Sequence, residues 1–99
     1  MAKWHLTRRA VDDLDSIWQY TVRKWSEQQA DLYYNGLVAE FQTVVTAQNN
    51  FDREYTEIRK GIFGHHYRKH LIFYRKTDNG DVLIIRILHE QMDIKSKFI

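Results

Sequence analysis

Two runs of branched and aromatic residues flank Asn79-Gly80 within the stretch from His70 to Asp93, and no other feature limits the fold as strongly. A type I′ turn needs positive φ at both central residues, which Asn-Gly tolerates, so the stretch predicts a β-hairpin. Leu71 to Tyr74 and Val82 to Ile85 are apolar at consecutive positions, as in central strands covered on one side by helices. His70, Arg75, Arg86 and His89 break that pattern, placing ionisable groups within or at the ends of strands that read as buried.

The hairpin needs a cover, and the first half of the chain supplies it. Lys3 to Leu6 alternates like a short strand, with Trp4 and Leu6 on one face. Thr7 offers an N-cap hydroxyl, with Leu6 and Val11 placed for a hydrophobic staple. Ala10, Leu14, Ile17 and Thr21 recur at helical spacing, flanked by Trp18. Ser26-Glu27-Gln28-Gln29 has the form of a capping box that opens a second helix. Its inner face is Ala30, Tyr33, Leu37, Phe41, Val44 and Val45, broadened by Tyr34 and Val38. Gly36 costs roughly 1 kcal/mol in mid-helix relative to Ala, so it marks either close packing against the first helix or simple tolerance. Asn49-Asn50 ends the helix, since short amide side chains compete with the backbone ladder.

Residues 51 to 56 read as a connection and Glu57 to Ile62 as a strand. Gly61, Gly64 and His65-His66 then read as a turn into a long strand starting near Tyr67. The order is strand, helix, helix, strand, strand, strand. Two helices joined by so short a turn form an antiparallel hairpin whose apolar stripes require one face of a sheet. The expected fold is α+β: an N-terminal short strand and an antiparallel helical hairpin packed on a small antiparallel β-sheet.

Ninety-nine residues make a single domain over 1–99, and 43% hydrophobic content with 14% aromatics excludes a disordered chain. There is no cysteine, so disulfide and thiol chemistry are excluded. No apolar run spans a membrane and the N-terminus lacks a signal-peptide core, which makes the cytoplasm the expected compartment. Charge is uneven. Residues 1 to 57 carry six basic and nine acidic residues, a net −3, whereas residues 58 to 99 carry nine and four, a net +5, with four of the five histidines. Such a basic half suits nucleic acid, an acidic protein or solvent.

His65-His66 with His70 invites a metal reading. Neighbouring histidines on a turn do not converge easily, and neither cysteine nor a nearby carboxylate completes a set in this segment, so no metal or other cofactor is expected. The aromatics Trp4, Trp18, Trp25, Tyr33, Tyr34 and Phe41 lie mostly at helical spacing, as core or interhelix contacts rather than a platform for bases.

His70-Leu71-Ile72-Phe73-Tyr74-Arg75 and Arg86-Ile87-Leu88-His89, followed by Met92-Asp93, resemble the hallmark of the ParE toxins of the RelE/ParE superfamily. Leu6-Thr7, Ala10, Asp13-Leu14 and Ile17 resemble that family's opening helix, Trp25 through Ala30 its interhelical turn, and Glu57 through Gly61 its second strand. The resemblance implies the architecture above, a ParD-like antitoxin as cognate partner, and DNA gyrase as a target inhibited by binding rather than catalysis. No sequence-specific nucleic-acid contact is expected.

The resemblance also opens an alternative, a ribosome-dependent mRNA endonuclease of the RelE type. That reaction needs a base, an acid and cations for the phosphate, for which His89, Arg59 and Arg86 are the candidates. Two departures weaken it: Leu71 stands where the nuclease branch tends to carry arginine, and the last strand leads into Met92-Asp93 rather than a basic or tyrosine-containing end. A further alternative is a degenerate toxin that only binds antitoxin. The expected target contacts are Arg59, His70, Arg75, Arg86, His89, Met92 and Asp93, with no catalytic residue.

Overall fold

The computed structural model describes residues 2–47 and 52–98. Along the chain run β1 (Trp4–Leu6), α1 (Arg8–Lys24), α2 (Glu27–Ala47), β2 (Arg53–Glu54), β3 (Phe63–Tyr67), β4 (His70–Lys76), β5 (Val82–His89) and a short 3₁₀ helix (Lys95–Phe98). The five strands form one sheet in the order β1-β5-β4-β3-β2. The expected α+β architecture is present, with one change. The sheet is mixed, because β1 runs parallel to β5, Trp4 opposite Val82 and Leu6 opposite Ile84.

Both helix starts follow their sequence signals. Thr7 Oγ1 accepts the Ala10 N–H at 3.1 Å, and Ser26 Oγ accepts the Gln29 N–H at 3.0 Å. The return bond of the capping box, from the Gln29 side chain to the Ser26 amide, is not made among the described residues. Ala10 and Leu14 of α1 and Leu37, Phe41, Val44 and Val45 of α2 are buried against Ile72, Tyr74, Val82, Ile84 and Ile87 of the sheet, and Ala30 of α2 is buried as well. Tyr34 and Trp25 turn outward instead, at 38% and 69% exposure. Gly36 is a close approach, but not to α1: a Cβ there would run into the Tyr67 hydroxyl of β3. The Asn49-Asn50 stop lies outside the described residues.

The segment before the hairpin differs from expectation. Glu57 to Ile62 is not a strand, because its amides bond locally: the Tyr55 carbonyl accepts the N–H groups of both Ile58 and Arg59, and the Arg59 carbonyl accepts that of Ile62. The strand β2 falls just before it, in what read as a connection. Gly64, His65 and His66 lie within β3, paired with Phe73, Ile72 and Leu71. Gly64 serves packing rather than turning, since the Tyr55 ring fills the space a side chain would need. The tight turn is Arg68-Lys69, where Arg68 takes φ of 53°.

The second hairpin forms where expected but with another turn. Only Gly80 takes positive φ, 88°, and Asn79 does not. Gly80 N–H bonds to the Thr77 carbonyl and Thr77 N–H to that of Asp81, the pattern of a turn closed by one left-handed glycine. Farther along, Phe73 pairs with Arg86 and Tyr74 with Ile84, so Ile85 is an extra residue. This bulge lets Ile84 and Ile87 both face the helices. On the opposite face Ile62, Leu71, Phe73 and Leu88 form a smaller cluster, covered by Tyr55, Ile58, Ile94 and Phe98.

Candidate functional site

The bulge turns Arg86 toward the sheet edge that β1 leaves open. There the Asp13 carboxylate of α1 accepts Arg86 Nε at 2.8 Å and Nη2 at 2.9 Å, as well as the Ile87 N–H at 2.9 Å. Arg86 Nη1 donates to the Lys97 carbonyl at 2.8 Å. The Asp13 bonds hold the guanidinium pKa above its usual value. Arg86 is therefore paired with the carboxylate of Asp13.

His70 and His89 sit opposite each other at the start of β4 and the end of β5, their rings edge to face at 5.4 Å. Tyr33 of α2 lies 2.6 Å from His70 Nδ1. Burial, followed by the neighbouring His89, lowers the His70 pKa to about 4, so its imidazole is neutral near pH 7 and shares one hydrogen bond with the Tyr33 hydroxyl. Burial in turn raises the Tyr33 pKa. His89 Nδ1 accepts the Gln91 N–H at 3.1 Å, a backbone bond at the end of the strand. Both rings face a groove of about 500 Å³ shared with Ile17, Tyr20, Arg23 and Met92.

Arg59 and Arg75 lie elsewhere. They line a groove on the sheet face away from the helices, together with Arg86 and with four further cations, Arg9, Lys60, Lys76 and Lys97. The excess positive charge of residues 58 to 99 was the available signal for three of these, and only folding brings Arg9 to them. Asp93 is exposed beside the 3₁₀ helix, and its carbonyl accepts the Ser96 hydroxyl at 2.9 Å. The seven candidate residues thus divide among three places.

His65 is the other residue whose surroundings the sequence concealed. Its Nε2 lies 2.6 Å from Glu40 of α2 and its Nδ1 2.9 Å from Asp52, whose other oxygen accepts the Tyr74 hydroxyl at 2.6 Å. Burial disfavours the imidazolium, but the bonds to the two carboxylates outweigh it and raise the His65 pKa. This network ties α2, β3 and β4 together. It is an ionic clasp and not a set of open ligands.

With this geometry in place, comparison with known proteins is decisive on family. The profile of the family described as "ParE toxin of type II toxin-antitoxin system, parDE" matches residues 5–94. The chain belongs to the ParE toxin family. Toxin ParE1 of Mycobacterium tuberculosis is 32% identical over 98 residues, covering 94% of each chain. Toxin ParE1 of Caulobacter vibrioides is 31% identical over 96 residues, covering 97% of each, and Toxin ParE of Escherichia coli is 26% identical over 97. A chain from the solved chromosomal ParDE system of P. aeruginosa shares the ParE fold, with a TM-score of 0.76 over 90% of this chain and 95% of that one at 20% identity. As a ParE toxin the protein is the toxic component of a type II toxin-antitoxin system. Among the described residues no helix of this ParE chain is long and apolar enough to cross a membrane.

Proposed function

We propose that this toxin acts by binding DNA gyrase and blocking its work, without cutting RNA, and that a ParD-like antitoxin neutralises it by covering the toxin surface. The observation that carries the first half is the separation of the groups a nuclease would need. Arg86 is committed to Asp13 and the Lys97 carbonyl, and His89 lines a different groove from Arg59. A base without a converging phosphate clamp gives little of the transition-state stabilisation that RNA cleavage requires. Binding needs no such convergence, and the exposed Arg59, Arg75, Met92 and Asp93 remain available as contacts.

The antitoxin half is supported by the solved relative, a ParDE system, and by exposed apolar side chains on and beside the helical hairpin. Tyr20 is 54% exposed, Leu32 61% and Met92 46%. Large apolar side chains left in water mark surfaces that a partner covers.

The deciding experiment is supercoiling of relaxed plasmid by gyrase, titrated with purified toxin in the presence and absence of antitoxin. Inhibition that antitoxin reverses is the expected result. Absence of inhibition at concentrations that arrest growth would reject gyrase as the target. Cleavage of mRNA on translating ribosomes, lost in His89→Ala, would then favour the nuclease reading.

A further inference from the structure

The three tryptophans of the chain have unequal surroundings. The Trp4 ring packs edge to face on Phe41 at 5.2 Å, and the Trp18 indole N–H donates to Asp31 at 2.9 Å. Trp25 is 69% exposed, and among the described residues neither its ring nor its indole N–H has a partner. It stands over a cavity of about 570 Å³ between the end of α1, the start of α2 and the turn that joins β3 to β4. Tyr33 and Tyr67 also line that cavity, their rings tilted and 5.7 Å apart. A volume of this size, walled by aromatic rings with a few polar groups among them, is typical of small-ligand sites.

Arg68 is the one charged residue that lines it among the described residues. It takes φ of 53° in the β3–β4 turn, a left-handed conformation that glycine or asparagine adopts readily and a long side chain adopts at a cost. The turn itself gains nothing from an arginine there. What arginine adds is a guanidinium, set 5.6 Å over the Tyr67 ring with Nε 3.4 Å from the hydroxyl. Among the described residues it forms no ion pair, although the neighbouring Lys69 approaches Glu90 at 4.0 Å.

Open aromatic faces take up planar rings by stacking, and an unpaired guanidinium takes a phosphate through its fork of N–H donors. A ligand that satisfies both is an aromatic ring carrying a phosphate. The exposed Gln29 amide, also in the lining, offers a donor and an acceptor to the edge of a base. A nucleic-acid strand draws on cations spaced along its backbone, whereas a single guanidinium matches a single phosphate.

We propose that this cavity binds a nucleoside monophosphate, with its base stacked on the Trp25 indole and edged by Gln29, and its phosphate on Arg68. The site lies apart from the basic groove of the sheet face, and the inference goes beyond the action on gyrase without depending on it.

The test is isothermal titration calorimetry of the full chain with adenosine 5′-monophosphate, against adenosine, ribose 5-phosphate and phenyl phosphate. The monophosphate is expected to bind at least about tenfold more tightly than any of the three. Trp25→Ala should weaken it by about tenfold or more, while Lys3→Ala, which removes an exposed charge on β1's side of the molecule, leaves it unchanged. Arg68→Gly should weaken it as much with a melting temperature unchanged or higher, because glycine takes positive φ without strain. Trp25→Ala, at an exposed position, keeps the test open whatever Arg68→Gly does to the fold. No binding at millimolar monophosphate, equal binding of any comparator, or binding unchanged in Trp25→Ala would overturn the proposal. Tighter binding of a single-stranded oligonucleotide would overturn it in favour of a nucleic-acid strand. Antitoxin capture weakened by Trp25→Ala, with no nucleotide bound by the parent chain, would assign the cavity to the antitoxin instead.

Discussion

Asp13 holds Arg86 through two parallel bonds across 73 residues of sequence, and the same carboxylate caps the Ile87 amide. Each side chain is only 14% exposed, so the pair lies between a surface bridge and a buried one. Asp13→Ala is expected to cost about 2 kcal/mol, since it strands a guanidinium and leaves a strand amide unbonded. Arg86→Lys, which keeps the charge and loses the fork, should cost less. Urea denaturation of the two variants checks the order.

Stability is expected to peak near neutral pH, because two histidines bias it in opposite senses. His65 has a raised pKa in the folded state, so its contribution is complete below the ordinary value of 6.5 and is lost as pH rises through the raised value. His70 has a lowered one, about 4, so the unfolded chain binds its proton first: its contribution is complete above 6.5 and is lost as pH falls toward 4. Thermal melts across this range should show the alkaline limb flattened in His65→Gln and the acid limb flattened in His70→Gln.

Gly36→Ala would raise helix propensity by about 1 kcal/mol on an open surface. Here it is expected to destabilise by a similar amount, because the new Cβ meets the Tyr67 hydroxyl and that ring packs on Tyr33 at 5.7 Å. Combining it with Tyr67→Phe should recover part of the loss. A gain in melting temperature for Gly36→Ala alone would refute the steric account.

Phe98 anchors the 3₁₀ helix on Phe73, aided by the bond from Arg86 to the Lys97 carbonyl. Phe98→Ala is expected to cost only about 1 kcal/mol globally, since the ring is partly exposed. It should nevertheless speed tryptic cleavage after Lys95 and Lys97. That contrast separates local release of the tail from global unfolding.

Much of this architecture was legible because it is written in short-range chemistry. Thr7 and Ser26 announce their helices through bonds to amides three residues on, and the apolar runs around Asn79-Gly80 pair as their pattern requires. What stayed hidden depends on contacts between distant residues. Gly64 and His65-His66 read as a turn, because nothing local reveals that the Tyr55 ring fills the glycine's space or that Glu40 and Asp52 receive His65. The direction of β1 was equally opaque, since alternation defines a strand's faces and not its sense. Of the candidate contacts, Arg59 and Arg75 share a groove, while His70, His89 and Met92 face another. Sequence order contains no hint of that division.

The parallel pairing of β1 with β5 also orders events in time. Thr7 bonds Ile85 across 78 residues, and Asp13 reaches Arg86 across almost as many. The helical hairpin can condense from near neighbours as soon as it is synthesised, whereas the first strand has no partner until the fifth exists. A nascent toxin therefore passes most of its synthesis with its N-terminal edge undocked. Completion of β5 is what closes the molecule, so translation stopped short of that strand would yield a chain unable to assemble its sheet.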